Sequence, residues 1–261
     1  RLANVEKVPE QINYLNAARR EVKLAQKEIA EGLPRTQHVL HLQAPGGTGK
    51  TYVNNVLMDL LRLEGEVVVC AAPSAKAARL YNGGQTQHAA FKLPVVDDMS
   101  ECRSRLTPLA FNYRLLQMAK VIILDEISMT HKEVLTAIDL LLREMGDSSV
   151  QMGGYVVILT GHWLQMPAIV RNGSKADILQ ASVINFEGFE SWQHYHFAQN
   201  HRQHKDPELA EWGERVACGV AKDGRKFSGF FSTDDLPKSM HCTHDYNDAI
   251  NTYCRTDDLP T

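Results

Sequence analysis

The chain has 261 residues, of which 44% are hydrophobic and 23% charged, with a formal net charge of −3. That is enough for one large α/β domain or two small ones, and the composition is that of a globular protein rather than a disordered or fibrous one. The charge balance carries no global nucleic-acid signature but leaves room for a local basic groove, and the apolar runs are strand-sized, far short of the roughly 20 residues of a membrane span.

The N-terminus is charged and helix-like, without a signal-peptide pattern, and begins at Arg1 rather than Met, so the sequence is expected to be a piece of a longer intracellular protein. Its five cysteines (Cys70, Cys102, Cys218, Cys242, Cys254) are odd in number and form no CxxC pair, as expected for reduced thiols. His241, Cys242, His244 and Cys254 could be drawn as a zinc site, but their spacing fits no established finger, and they read as surface residues.

In chain order, residues 9–31 read as one helix: Pro9 suits a first turn, Ile12, Leu15, Ala18, Val22, Ala25 and Ile29 recur at helical spacing, and Gly32 stops it. Five strand-length apolar runs follow, at 38–42, 67–71, 121–124, 155–159 and 195–197, the middle ones continuous as in strands covered on both faces. Helical patterns alternate with them at 52–63, 75–81, 106–118 and 132–145. This alternation predicts an α/β fold with a central parallel sheet, right-handed crossovers and helices on both faces. Ligands then bind at the carboxyl ends of the strands. Residues 97–105 are polar and irregular, and an insertion near 92–118 is expected. After Arg202 the pattern weakens, with a helix at 207–218, a loop-rich stretch at 219–229 and a tail of short apolar clusters. The expected division is 1–35 as a leading helix, 36–218 as the core and 219–261 as a trailing segment.

The stretch Gln43-Ala44-Pro45-Gly46-Gly47-Thr48-Gly49-Lys50-Thr51 sits between the first core strand and the next helix. Glycines there let successive N–H groups curl around phosphate oxygens, and the helix start adds free donors and the positive end of its dipole. In this context Lys50 reaches the β- and γ-phosphates and Thr51 ligates Mg²⁺. Ala44 stands where the usual pattern has its first Gly. The alternative is a chance glycine-rich turn.

The strand at 121–124 ends in Asp125-Glu126. Beside a phosphate loop, Asp125 would hold Mg²⁺ through water, and Glu126 would orient and deprotonate the attacking water. Alone, the pair is also an ordinary acidic strand end. Gln165 after the 155–159 strand could contact the γ-phosphate, and Arg202 after the fifth strand could stabilise charge building there; each could equally be a solvated turn or surface residue. Between loop and carboxylates, Pro73, Ser74 and Ala75 end a small-residue strand, and Thr86 and His88 add donors. Phe91 could stack on a base, as single-strand binders require. An Ala-rich helix packed on the sheet and a Gly-Gly turn explain the same segment structurally.

The ordered series GGTGKT, APSAKAA, GGQTQHAAFKLP, ILDEISM, GGYVVILTGHWLQMP and QNHRQ resembles the PIF family of superfamily-1 DNA helicases, and the stretches 129–133 and 173–179 look like its Helitron-type branch. The likeness covers residues 9–218. It implies a RecA-like P-loop NTPase core and ATP-driven 5′-to-3′ translocation on single-stranded DNA. By position it implies ATP at Gln11, Gly46, Gly47, Thr48, Gly49, Lys50 and Thr51, and Mg²⁺ at Thr51 and Asp125. Catalysis falls to Lys50, Glu126, Gln165 and Arg202, and DNA to Pro73, Ser74, Ala75, Thr86, His88 and Phe91. Gln11 would read adenine, with a solvated helix glutamine as the alternative. His162 and Leu164 stand where the family has Asp and Arg. A second RecA-like core is expected in the parent chain, which a eukaryote would keep in the nucleus. Two other readings stay open: an inactive nucleotide- or DNA-binding remnant of a transposon-type helicase, and a phosphate-loop ATPase acting on something other than DNA. The 83–91 segment, which has no role at a nucleotide site, speaks against the second of these.

Overall fold

A computed structural model describes residues 2–5, 7–96, 98–201 and 207–217. The chain divides into two compact units, residues 1–201 and 202–261. The first holds a six-stranded sheet of β1 (His38–Gln43), β2 (Val67–Ala72), β3 (Gln85–Thr86), β4 (Ala119–Leu124), β5 (Val156–Gly161) and β6 (Gln193–His196), in the order β3-β2-β4-β5-β1-β6. Every neighbouring pair is parallel. Its helices are α1 (Leu2–Val5), α2 (Pro9–Glu31), α3 (Lys50–Leu63), α4 (Ala75–Ala78), α5 (Gln87–Ala90), α6 (Phe111–Met118), α7 (Lys132–Met145) and α8 (Lys175–Ala181). In the second unit the described element is α9 (Pro207–Ala217), a helix expected from its sequence.

The period-two geometry of the strands sorts their side chains into two cores. Leu40, Leu42, Val68, Cys70, Val121, Ile123, Val156 and Ile158 pack with Tyr14, Leu15, Ala18 and Val22 of α2 and with Val53, Val56, Leu57 and Leu61 of α3. On the other face, Val39, Val69, Ala71, Ile122, Leu124, Val157 and Leu159 pack with Leu116 of α6 and with Val134, Leu135, Ile138 and Leu142 of α7. The result is the expected three-layer α/β/α arrangement. Because both faces are covered, β1, β2, β4 and β5 are buried nearly throughout, whereas the edge strand β6 alternates half-buried and exposed residues. Among the described residues, no helix is long and apolar enough to cross a membrane.

The helix at the N-terminus is part of this core rather than a leader to it. Its ends are as read from sequence: Pro9 in the first turn, and Gly32 at φ 62° closing the C-terminus by donating its N–H to carbonyls of the last turn. The buried His38 imidazole further ties α2 to β1, with Nδ1 2.9 Å from Glu21 Oε2 and Nε2 3.1 Å from Glu28 Oε2. Two expected helices are shorter than their patterns. The 75–81 pattern forms only α4 and a turn, because Gly83 and Gly84 follow at once. The 106–118 pattern forms helix only from Phe111, since Pro108 lies in its first half and disfavours helix before it. The short β3 and α8 were not expected. β3 has two residues, too few to show a period, and α8 begins at a Ser174–Asp177 capping box in a polar stretch.

Candidate phosphate-binding site

Three strand ends converge on one edge of the sheet. β1 runs directly into the 44–49 loop, β4 ends at Leu124 before the two carboxylates, and β5 lies between them, with Gln43 in register with Gly161 and Leu124 with Leu159. The Lys50 side chain at the first position of α3 crosses this gap. Its Nζ donates to Glu126 Oε1 at 2.7 Å and lies 3.0 Å from Asp125 Oδ1.

The loop backbone is arranged for an anion. Gly47 (φ 88°) and Gly49 (φ 89°) are left-handed, a conformation that a side chain resists. The carbonyls of four consecutive residues are engaged by the protein itself. Thr48 Oγ1 donates to Pro45 O at 2.8 Å, Asn200 Nδ2 to Gly46 O at 3.1 Å, the His201 N–H to Gly47 O at 2.8 Å, and Gln11 Nε2 to Thr48 O at 3.0 Å. The N–H groups of Gly46, Gly47 and Gly49 donate to no backbone acceptor among the described residues. Carbonyls held from behind and amides left over make a cradle of the kind that takes phosphate oxygens. Ala44 does not disturb it: its φ is not positive, its N–H bonds to Gly161 O at 2.9 Å, and its Cβ is buried without left-handed strain.

Asp125 is fully buried and accepts from three sides: Thr160 Oγ1 and Lys50 Nζ on Oδ1, at 2.6 and 3.0 Å, and Tyr81 OH on Oδ2, at 2.7 Å. Its N–H continues the β2–β4 ladder by donating to Ala71 O at 2.9 Å. Glu126 next to it sits at φ 52°, ψ 44°. A non-glycine residue held there costs on the order of 1–3 kcal/mol, a strain that concentrates at functional sites. The donor set is an ammonium and two carboxylates, with Thr51 next in α3 after Lys50, all oxygen or cationic nitrogen. Such a set suits a polyphosphate with a hard divalent cation such as Mg²⁺.

The remaining expected residues fall as follows. Gln165 reaches the loop: a Cβ at Gly46 would lie 3.4 Å from its Nε2. Gln11 is buried, its amide engaged with Thr48 O and 3.2 Å from His201 Nε2, so the structure gives it a bracing role on the loop rather than an exposed amide. Pro73, Ser74 and Ala75 leave β2 where Ala72 pairs with Thr86 of β3, so these four share one strand edge. Ser74 and Thr86 are N-caps, accepting from the N–H of Ala77 and Ala89, and His88 Nδ1 lies 3.2 Å from Leu93 O. Phe91 differs from expectation. It is 0% exposed, packed into the core of the α7 face, so its ring offers no surface to a base. An aromatic at the end of a four-residue helix over a sheet is pulled inward by the apolar area it can bury. Arg202 lies outside the described residues, as do Cys218, His241, Cys242, His244 and Cys254.

Thr160, Glu10 and Tyr81 carry no expectation from the sequence. Thr160 precedes Gly161 at the β5 end, and that position was the available signal. Glu10 accepts the N–H groups of Ala198 and Gln199 at 3.0 and 3.1 Å, holding the strap that carries Asn200 and His201 onto the loop. No local pattern marks Glu10 or Tyr81. His162 and Trp163, in the turn after β5, pack inward: His162 is buried, and Trp163 lies against His41 and Phe189 at centroid distances of 5.4 and 5.9 Å.

A family model for PIF1-like helicases matches residues 17–216. The ATP-dependent DNA helicase Pif1 of Psychrobacter sp. (strain PRwf-1) is 30% identical over 142 residues, which is 53% of this chain and 21% of that protein. The crystal structure of Bacteroides sp Pif1 in complex with ADP-AlF4 matches with a TM-score of 0.62 at 21% identity, over 83% of this chain and 47% of that one. Bacteroides Pif1 bound to ssDNA matches with a TM-score of 0.62 at 23% identity, over 85% and 51% respectively. This chain spans about half the length of those solved chains. At such identities the likeness establishes the fold, a RecA-like P-loop core.

Proposed function

The chain belongs to the PIF1-like helicase family, and from that premise we propose that it is the first motor core of an ATP-dependent 5′-to-3′ DNA helicase. The observation that carries the reading is Lys50 held between Asp125 and Glu126 beside a loop of unengaged amides. ATP is the substrate, with its phosphates on the N–H groups of residues 46–51. Thr51 and Asp125 are the residues that would hold Mg²⁺, which when bound neutralises charge on the phosphate oxygens. Lys50 exchanges its two carboxylate partners for β- and γ-phosphate oxygens. Glu126, released from Lys50, orients the attacking water and takes its proton. Gln165 beside the loop is assigned to sensing the γ-phosphate, as is Arg202 from its place in the sequence alone, and Gln11 braces the loop. Phosphoryl transfer needs positioning and charge compensation more than covalent help, and these residues supply both.

Single-stranded DNA is the track, gripped at Pro73, Ser74, Ala75, Thr86 and His88 on the strand edge beside the nucleotide site. A second RecA-like core in the full-length protein completes the site and the track. A DNA track puts the protein inside the cell, and in a eukaryote in the nucleus. The test is ATP hydrolysis by the full-length protein with and without single-stranded DNA, over a range of salt. The expected result is faster hydrolysis with DNA, falling off as salt rises. Hydrolysis that ignores DNA at every salt concentration overturns the motor reading.

A further inference from the structure

We propose that Tyr81 is a positioning residue that ties segment 73–91 to Asp125, so that DNA bound on that segment adjusts the carboxylate serving the metal. The inference rests on the reading above and names the internal link through which the two sites communicate.

Tyr81 stands between α4 and β3, inside the segment assigned to DNA. Its backbone is fastened to that segment on both sides: its N–H donates to Ala78 O at 3.1 Å, and its carbonyl accepts from the Gly84 N–H at 3.1 Å. The turn is tight enough that a Cβ on Gly84 would lie 3.1 Å from the Tyr81 Cβ and closer still to Ala78 O. α4, Tyr81 and β3 therefore move as one piece. The side chain is 3% exposed, and its hydroxyl donates to Asp125 Oδ2 at 2.7 Å. From α3, Asn54 Nδ2 approaches the same hydroxyl at 3.5 Å, and Asn54 Oδ1 accepts from Tyr14 OH of α2 at 2.8 Å.

A buried chain of polar groups thus runs from α2 through the phosphate-loop helix to the carboxylate. Filling this space needs only a ring. A buried hydroxyl costs free energy unless it is bonded, and here its strong partner is Asp125, the buried one of the two carboxylates that hold Lys50. A carboxylate has about four lone-pair sites. Thr160 and Lys50 occupy Oδ1, and Tyr81 takes one position on Oδ2 and so fixes the direction of the other. Displacing segment 73–91 moves the Tyr81 hydroxyl and turns that remaining lone pair.

The test compares Tyr81→Phe with Tyr14→Phe in the full-length protein. Both remove one buried hydroxyl from the same chain of bonds, but only the first touches Asp125. For Tyr81→Phe the expected results are unchanged affinity for a fluorescent oligo-dT, a loss of DNA stimulation of hydrolysis of about 5-fold or more, and a several-fold higher Mg²⁺ concentration for half-maximal binding of a fluorescent ATP analogue. Tyr14→Phe lowers the melting temperature and leaves both functional readouts at wild type. The proposal is overturned if Tyr81→Phe keeps the wild-type stimulation and Mg²⁺ requirement, or if Tyr14→Phe reproduces its losses. If the wild type shows no DNA stimulation at all, the motor reading is what fails. The Mg²⁺ dependence of analogue binding, which needs no DNA, then still decides whether Tyr81 sets Asp125.

Discussion

The Lys50 ammonium and the Glu126 carboxylate meet at 2.7 Å although 76 positions separate them in the chain. The contact joins the start of α3 to the end of β4 across β5, and it makes the two residues separable by mutation. Lys50→Ala removes the cation meant for the phosphates and is expected to lower nucleotide affinity and abolish DNA-stimulated hydrolysis. Glu126→Gln keeps the shape and a hydrogen-bond acceptor for Lys50, so nucleotide binding should stay near wild type while turnover falls by about 10²–10⁴-fold, the usual worth of a general base. Isothermal titration beside a steady-state assay checks both. If Glu126→Gln loses binding, Glu126 is structural.

Gly49 faces two obstacles to any side chain, its φ of 89° and the Gln11 amide 2.7 Å from where a Cβ would lie. Gly49→Ala is expected to destabilise the protein by about 1–2 kcal/mol and to remove ATP binding with it. Gln11→Ala takes away the brace on Thr48 O and the contact with His201 Nε2, a hydrogen bond being worth about 0.5–1.5 kcal/mol. It should weaken ATP and GTP by similar factors of about 2–10, measured as competing inhibitors of analogue binding. Selective loss of ATP would restore Gln11 as an adenine reader.

Phe91 belongs to the core. Phe91→Ala is expected to cost about 3–5 kcal/mol in denaturant unfolding, whereas Phe91→Leu is tolerated with oligo-dT affinity unchanged. A well-folded Phe91→Leu protein with sharply weaker DNA binding would return the ring to the DNA track.

His41 on β1 is buried beside His194, with their Nδ1 atoms 3.0 Å apart, and burial, then the neighbouring histidine, push its pKa down to about 4. Its unfolded pKa is near 6.5, so the unfolded chain binds the extra proton over the interval between these values and stability falls as pH drops through it. With one pKa unit equal to about 1.4 kcal/mol, the loss from pH 7 to pH 4 is at most about 3 kcal/mol. His41→Gln should flatten that part of the stability–pH curve, read by thermal melts in a pH series. An unchanged slope would place the titration elsewhere.

How much of this was legible beforehand depended on the range of each interaction. The sequence by itself determined the parallel α/β layering, because continuous apolar strands and 3.6-residue stripes are local patterns that burial on both faces enforces. It also determined the phosphate loop, since a glycine-rich turn between strand and helix acts through its own backbone, and the ends of α2, where Pro9 and Gly32 act on the nearest turn. Only the tertiary structure decided which polar groups meet. Tyr81 and Thr160 converge on Asp125, Asn200 and His201 strap the loop, and Glu10 holds that strap, all through contacts between distant segments with no local signature. It also turned Phe91 inward, because whether an aromatic beside a sheet faces solvent or core is set by the free surface of neighbouring elements and not by the residues on either side of it.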